Sequence, residues 1–215
     1  MKAIAMRFPQ ILAVLGGVCV LAPGAGFAEP TADPAAVIVT AMVNSLAHML
    51  SDPKLTASDR EHEFARLLDE DCDLGLVARF VLGNYFAAAN EADRQQFASL
   101  FERWITHMFT GKIGGFDASS FAVKSVTHAD GGSIVMTEIA AGNRPIRIDW
   151  RVNQSGSGYR IVDVAMAGIS MAQVEREEIG AAIRGSGGTV AGFNRALEQR
   201  LVSNDPTTTA ASTGQ

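Results

Sequence analysis

The spacing of apolar residues changes from a helical to a strand period part-way along this chain. Between residues 145 and 153, apolar and polar side chains alternate without a break. Ile146, Ile148, Trp150 and Val152 fall on one face, and Arg147, Asp149, Arg151 and Asn153 fall on the other. Such alternation predicts a β-strand with one face against a core and one face in water. The chain must therefore build a sheet and cover one side of it.

Three further segments near this strand have strand-like patterns and are joined to it by turn signals. Residues 121–128 and 133–140 lie on either side of the turn signal Asp130-Gly131-Gly132. The polar, glycine-containing sequence 154–158 leads into the last segment, residues 159–166. Short links between consecutive strands are typical of an antiparallel meander, so we predict a four-stranded antiparallel sheet.

Helical patterns lie on both sides of the predicted sheet. They cover about residues 34–50, 58–68, 73–86 and 90–110 before it, and residues 171–184 and 189–202 after it. Ser58 and Glu61 have capping-box spacing at the start of the second helix, and Asp73 can cap the third. Helices before and after a meander indicate an α+β domain with the helices on one sheet face. We predict that the sheet curls against the N- and C-terminal helices around an apolar cavity.

The first 28 residues have the composition of a secretory signal peptide. Lys2 and Arg7 give a positive start, residues 11–22 are apolar, and Gly26 and Ala28 supply the small residues that specify cleavage. The apolar run of about a dozen residues is shorter than the ~18–20 needed to span a bilayer. We therefore expect a secreted protein with one domain at residues 29–202. The Thr-, Ala- and Ser-rich residues 203–215 predict a disordered tail.

The mature chain would be acidic and would contain a single cysteine. Without residues 1–28, which hold two basic and no acidic side chains, 16 basic and 23 acidic side chains remain, a net charge of −7. An acidic chain without a basic run argues against nucleic acid as a partner. Because only Cys72 remains, no intramolecular disulfide can form, and packing alone must hold the fold.

Few residues have the spacing of a metal or catalytic site. The acidic segment that begins at Asp69 is similar to the start of a calcium loop, but Leu74 and Phe80 stand where such a loop requires Gly and Glu. The four histidines lack a ligand spacing such as His-x-x-x-His, and no Gly-x-Ser-x-Gly elbow occurs. We therefore predict a protein that is not an enzyme and has no catalytic residues, no metal site and no cofactor.

Asp163 is the carboxylate of an otherwise apolar strand, and two interpretations of it are open. It could be the general base of a small cone-shaped enzyme of the isomerase or hydrolase type. Alternatively, it faces outward or accepts hydrogen bonds from the chain near Gly168 and Ser170, where the Ser170 hydroxyl can cap a helix. The structural interpretation is the one we favour.

Residues 159–179 carry a resemblance to a known family. An apolar strand that begins at Tyr159 carries Asp163, turns at Gly168 and enters a charged helix through Ser170. This order is similar to the block aromatic-x-I-x-D-V-x-x-x-G-[IV]-S of the MlaC-like family. Its members are periplasmic phospholipid-binding proteins, also called toluene-tolerance auxiliary proteins.

Weaker resemblances extend the match to roughly residues 35–200. The sequence from Phe80 to Tyr85 is similar to the family's x-V-L-G-x-Y-W helix end, although Phe86 replaces the tryptophan. Phe97 and Phe101 are similar to the F-x-x-x-F segment that follows. Arg176 and Gly187 fall where the family commonly places an arginine and a glycine, whereas Tyr159 stands where tryptophan is common.

The resemblance implies a periplasmic lipid carrier. Its ligand would be a phospholipid, or a hopanoid-type lipid if the chain is of the related hopanoid-associated branch. Its partners would be an outer-membrane lipoprotein–porin complex and an inner-membrane ABC transporter complex. The alternatives are an enzyme that uses Asp163 and an adaptor with a fully packed core that binds only protein.

The period of the helices and strands, rather than the resemblance, suggests which residues face the cavity. The inward candidates are Leu82, Tyr85, Phe101, Trp104, Met108, Met136, Ile148, Trp150 and Val164.

Overall fold

A computed structural model describes residues 33–110, 121–129, 131–141, 144–156 and 158–204. The signal peptide and most of the expected tail lie outside these residues. Within them, the helices are α1 Pro34–Ser51, α2 Ala57–Asp71, α3 Leu74–Leu82, α4 Asn84–Ala88, α5 Glu91–Thr110, α6 Met171–Gly185 and α7 Val190–Asn204. The strands are β1 Ala122–Ala129, β2 Gly132–Ala141, β3 Arg144–Ser155, β4 Gly158–Met166 and β5 Ile169–Ser170. The predicted α+β class is confirmed, with one short strand more than expected.

The helix starts follow from capping side chains. Asp33 accepts hydrogen bonds from the backbone N–H groups of Ala35 and Ala36, and Asp73 accepts one from Leu76. The capping box of α2 is formed by Thr56 and Asp59. The expectation that Ser58 and Glu61 form this box is wrong, because the helix has already begun at Ala57.

The third predicted helix is broken in two at Gly83. This glycine has φ +53°, a conformation that side chains rarely adopt, and it separates α3 from the short α4. The apolar period continues across the break to Phe86, which is why the sequence pattern predicts one uninterrupted helix.

The sheet is an antiparallel meander in the order β1-β2-β3-β4-β5. Val135 pairs with Trp150, Thr137 with Ile148 and Trp150 with Val164, so these residues share one face. We call this the core face, because Val135 and Thr137 are fully buried on it. The opposite face, which we call the outer face, carries Ile134, Met136, Arg147, Asp149 and Arg151.

The buried side chains form two clusters. The sheet cluster lies between the core face and helices α1 and α2, and it contains Val43, Phe64 and Trp150. The helical cluster joins α3, α5, α6 and α7, and Phe97 and Phe101 stack at its centre with ring centroids 5.4 Å apart. Ile105 of α5 packs against both clusters, so α5 links the sheet side of the domain to the helical side.

Helix α1 is the only helix of the described residues with the length and mean hydropathy of a membrane span. Its buried residues include Val39, Met42 and Met49, and it packs on β1, β2, β4 and α2. One face of α1 therefore packs against the sheet cluster.

Candidate functional site

The core face carries an apolar row that is buried at its centre and exposed at its ends. Register places Thr137 beside Ile148, Ile148 beside Met166, and Met166 beside Ile169. Ile148 is buried, whereas Met166 is 42% exposed and Ile169 59% exposed. Val123, which pairs with Thr137 at the other end of the row, is exposed as well. The apolar surface of the sheet cluster is therefore continuous with the surface of the protein.

The polar atoms inside the sheet cluster are satisfied locally. Trp150 donates its indole N–H to the Thr137 hydroxyl oxygen at 3.0 Å, and the Thr137 hydroxyl donates to the Ile148 carbonyl at 3.1 Å. Because each of these groups has a partner, the centre of the core face presents only apolar surface to whatever lies against it.

The structure divides the nine inward candidates between separate places. Ile148, Trp150 and Val164 belong to the sheet cluster. Four others belong to the helical cluster: Leu82, Tyr85, Phe101 and Trp104. Met108 is half-buried on α5 and belongs to neither cluster. Met136 pairs with Asp149, so its side chain lies on the outer face, away from Ile148.

The clefts of the described residues differ in lining. One of about 880 Å³ lies between α1 and α2, and its lining is polar apart from Met49 and Leu55. A crevice of about 130 Å³ lies beside Phe101 and Trp104 in the helical cluster. Pockets for drug-sized ligands enclose roughly 300–1,000 Å³, so this crevice is small for a lipid, and the larger cleft is lined mainly by polar residues. The core face carries a continuous row of apolar side chains that reaches the surface.

Cys72 borders the sheet cluster and is poorly suited to be a nucleophile. Its backbone pairs with Ile161, and the following residue, Asp73, donates its N–H to the Ile161 carbonyl at 3.0 Å. Burial, and then the nearby charge of Asp71, raise the pKa of the Cys72 thiol to about 12. The thiol therefore stays protonated at neutral pH.

Asp163 is held at the junction between β4 and α6. Ser170 donates its hydroxyl to Asp163 Oδ2 at 2.6 Å, and the Ala172 N–H donates to Asp163 Oδ1 at 3.0 Å. Ser170 also accepts a hydrogen bond from the Gln173 N–H, which caps α6. Both carboxylate oxygens of Asp163 are thus engaged in holding the strand to the helix, as the structural interpretation expects.

Arg176 ties α6 to the end of α3. Its Nη1 donates to the Phe80 carbonyl at 2.8 Å, and its guanidinium lies 5.0 Å from the centroid of the Phe80 ring. A Cβ at Gly83 would lie 2.8 Å from Arg176 Nη2, so any other residue at this position would push the guanidinium aside. Sequence reasoning singled out Gly83 and Arg176 separately and missed their contact, because no local pattern joins residues so far apart in the chain.

Comparison with known proteins decides the family. The model of the MlaC protein family matches residues 40–199 of this chain. The chain belongs to the MlaC family. The resemblance identified from residues 159–179 is therefore confirmed.

A solved structure has the same fold. It is the structure of the phospholipid-binding protein from Ralstonia solanacearum in complex with a phospholipid, and it superposes with a TM-score of 0.66 at 20% identity. The match covers 80% of this chain and 98% of that one. None of the curated proteins matches this chain. This chain is therefore a member of the MlaC family and has the fold of that phospholipid-binding protein.

Proposed function

We propose that this protein carries a phospholipid through the periplasm, with the acyl chains held between the core face of the sheet and helices α1 and α2. Membership of the MlaC family over residues 40–199 is the observation that carries the proposal. The phospholipid complex of the protein from Ralstonia solanacearum, which has this fold, supports it.

The core face supplies the chemistry that acyl chains need. Ile148, Trp150 and Val164 are the lining residues that we propose, and Met42 and Met49 of α1 belong to the same sheet cluster. Methionine side chains adapt their shape, so they can make room for an acyl chain. Each methylene removed from water contributes about 0.8 kcal/mol, so two chains need a dry apolar surface and few headgroup contacts.

The exposed end of the apolar row is the mouth that we propose. Ile146, Met166 and Ile169 are exposed at the end of the sheet where β3 begins and β4 ends. An apolar path from solvent to the sheet cluster would let an acyl chain slide in without crossing a charged rim.

Transfer between membranes is the second part of the proposal. The signal peptide would place the protein in the periplasm, and the net charge of −7 after its removal disfavours adsorption to anionic membrane surfaces. We propose that the carrier exchanges lipid with an outer-membrane lipoprotein–porin complex and an inner-membrane ABC transporter complex. The cargo is a phospholipid, and a hopanoid-type lipid is the alternative that lipid analysis would reveal.

A pair of charge substitutions on the two sheet faces tests the site. Ile148→Asp places a carboxylate in the sheet cluster, where its desolvation costs several kcal/mol. We expect it to abolish bound lipid. Ile134→Asp makes the same change on the outer face, where Ile134 is exposed beside Arg151, and should leave bound lipid unchanged.

A third variant guards against unfolding of Ile148→Asp. Met166→Glu changes an exposed residue of the proposed mouth, so the fold should survive, and we expect slower uptake of lipid from phospholipid vesicles. The readout is phospholipid per folded molecule by mass spectrometry, with folding checked by circular dichroism. Normal lipid content and uptake in both Ile148→Asp and Met166→Glu would contradict the proposed site.

A further inference from the structure

A groove of about 400 Å³ lies on the outer side of the domain, between α3, β4 and α6. Its apolar lining comes from Leu76, Val77, Phe80, Val162 and Ala172. Leu76 is 42% exposed and Phe80 41% exposed, although both are large apolar side chains. The groove is separate from the core face, because its sheet residues Arg151 and Asp163 pair with each other on the outer face.

The walls of the groove are fixed by the residues of the MlaC motifs. Asp163 fastens β4 to the start of α6 through Ser170 and Ala172. Arg176 connects α6 to the end of α3 through the Phe80 carbonyl, and its guanidinium lies beside Gly83, whose φ is +53°. In the hydrogen bonds described above, none of these motif residues contacts Ile148 or Trp150, which are lining candidates on the core face. These hydrogen bonds connect the walls of the groove, and a preorganised groove lowers the ordering cost of binding.

An exposed arginine, paired with a buried carboxylate, lines the groove. The Arg151 side chain is 60% exposed and its Nε lies 3.8 Å from the Asp163 carboxylate, whose side chain is only 7% exposed. Since Asp163 already accepts two shorter hydrogen bonds, most of the Arg151 guanidinium faces water. An exposed arginine beside exposed apolar side chains is the composition of a protein–protein contact.

We propose that this groove docks a segment of a partner protein that presents an apolar side chain next to a carboxylate. The apolar side chain would pack on Leu76 and Phe80, and the carboxylate would pair with Arg151. A protein segment fits better than an acyl chain, because the exposure of Leu76 and Phe80 would leave an acyl chain half in water. The position on the outer side of the sheet lets a partner dock while lipid occupies the core face.

Binding to the two membrane complexes tests the proposal, and only this choice of probes rests on the proposed transfer function. The mature protein is titrated against the purified lipoprotein–porin complex and the purified ABC transporter complex, each in lipid nanodiscs, by biolayer interferometry. Leu76→Ala, Phe80→Ala and Arg151→Gln should each weaken binding to at least one complex by about tenfold or more. Phe80→Ala keeps the backbone carbonyl that holds Arg176, so the groove should persist.

Matched controls lie on α7. Val202 is an exposed apolar residue and Arg195 an exposed arginine, and Val202→Ala and Arg195→Gln should bind as the wild type does. All five variants should carry as much lipid per folded molecule as the wild type. The loss in Arg151→Gln should shrink as salt rises, since the lost interaction is between charges.

Several outcomes overturn the proposal and leave the lipid-carrier function standing. One is unchanged binding in the three groove variants; another is a lipid-loaded wild type that binds neither complex. Dimers that dissociate in Phe80→Ala would show that the groove takes a second copy of the chain. Binding of palmitate at Leu76 and Phe80, with docking unaffected, would show a site for a single-chain amphiphile. Conversely, groove-dependent docking of a protein that carries no lipid would refute the carrier function and support the docking surface.

Discussion

Removal of the Asp163 carboxylate tests the interpretation of the most characteristic motif of this chain. Asp163→Ala deletes the acceptor of the Ser170 hydroxyl at 2.6 Å and of the Ala172 N–H at 3.0 Å. Hydrogen bonds to a charged group contribute about 1.5–3 kcal/mol each, so the expected loss in the free energy of unfolding is about 3–6 kcal/mol. The more distant Arg151 pair adds about 1 kcal/mol or less. For a domain of this size, the melting temperature should fall by roughly 6–24 °C.

Asp163→Asn should cost less, about 1–3 kcal/mol, because an amide oxygen can still accept the Ala172 N–H. Asp149→Asn is the matched control on the same sheet face, where Asp149 pairs with the exposed Arg147, and should cost about 1 kcal/mol or less. Urea denaturation measures the three values, and lipid per folded molecule should be unchanged. The reasoning fails if Asp163→Ala unfolds like the wild type, or if a measured turnover disappears in Asp163→Asn while its melting is unchanged.

Three further predictions concern single residues. Gly83→Ala should lower the free energy of unfolding by about 1–3 kcal/mol, because φ +53° is strained for alanine and its Cβ displaces Arg176. In the same urea titration, the control Gly75→Ala inside α3 should be neutral or stabilise the protein by up to ~1 kcal/mol. Burial raises the pKa of Asp71, so its ionised form opposes folding at neutral pH and the native state gains stability as pH falls toward that raised pKa. Asp71→Asn, at the C-terminal end of α2, should therefore raise the melting temperature at pH 7 by about 1–4 °C. An equal gain at pH 3, where the carboxyl group is protonated, would show that the charge of Asp71 is not the cause. The thiol of Cys72, with its pKa raised to about 12, should resist iodoacetamide at pH 8 in the native protein and react on unfolding. Rapid labelling of the native protein would contradict the raised pKa.

The strands were predictable because the alternation of side chains and the turn signals are both local features of the sequence. The alternation over residues 145–153 gave the core face of β3 correctly, since a period of two assigns every second side chain to one face. In β2 both faces carry apolar residues, with Ile134 and Met136 on one and Val135 and Ile139 on the other. Alternation alone does not choose between such faces. The pairing of Val135 with Trp150 determines which face of β2 is buried, and that pairing is visible only in the tertiary structure.

The helical half of the candidate site was less predictable for a related reason. Helical period identifies Leu82 and Phe101 as buried, and both are. It does not say which element buries them, and the structure packs them among helices rather than against the sheet. The docking groove was also beyond sequence reasoning, because it depends on the contact of Arg176 with the end of α3 and on the break at Gly83.

The lipid content of the mature protein tests the central claim most directly. The protein is purified from the periplasm without detergent, and its bound lipids are extracted and identified by mass spectrometry, with uptake from phospholipid vesicles measured on delipidated protein. The account predicts stoichiometric phospholipid after purification and reloading from vesicles. A folded wild-type protein that carries no lipid and takes none from vesicles would contradict it.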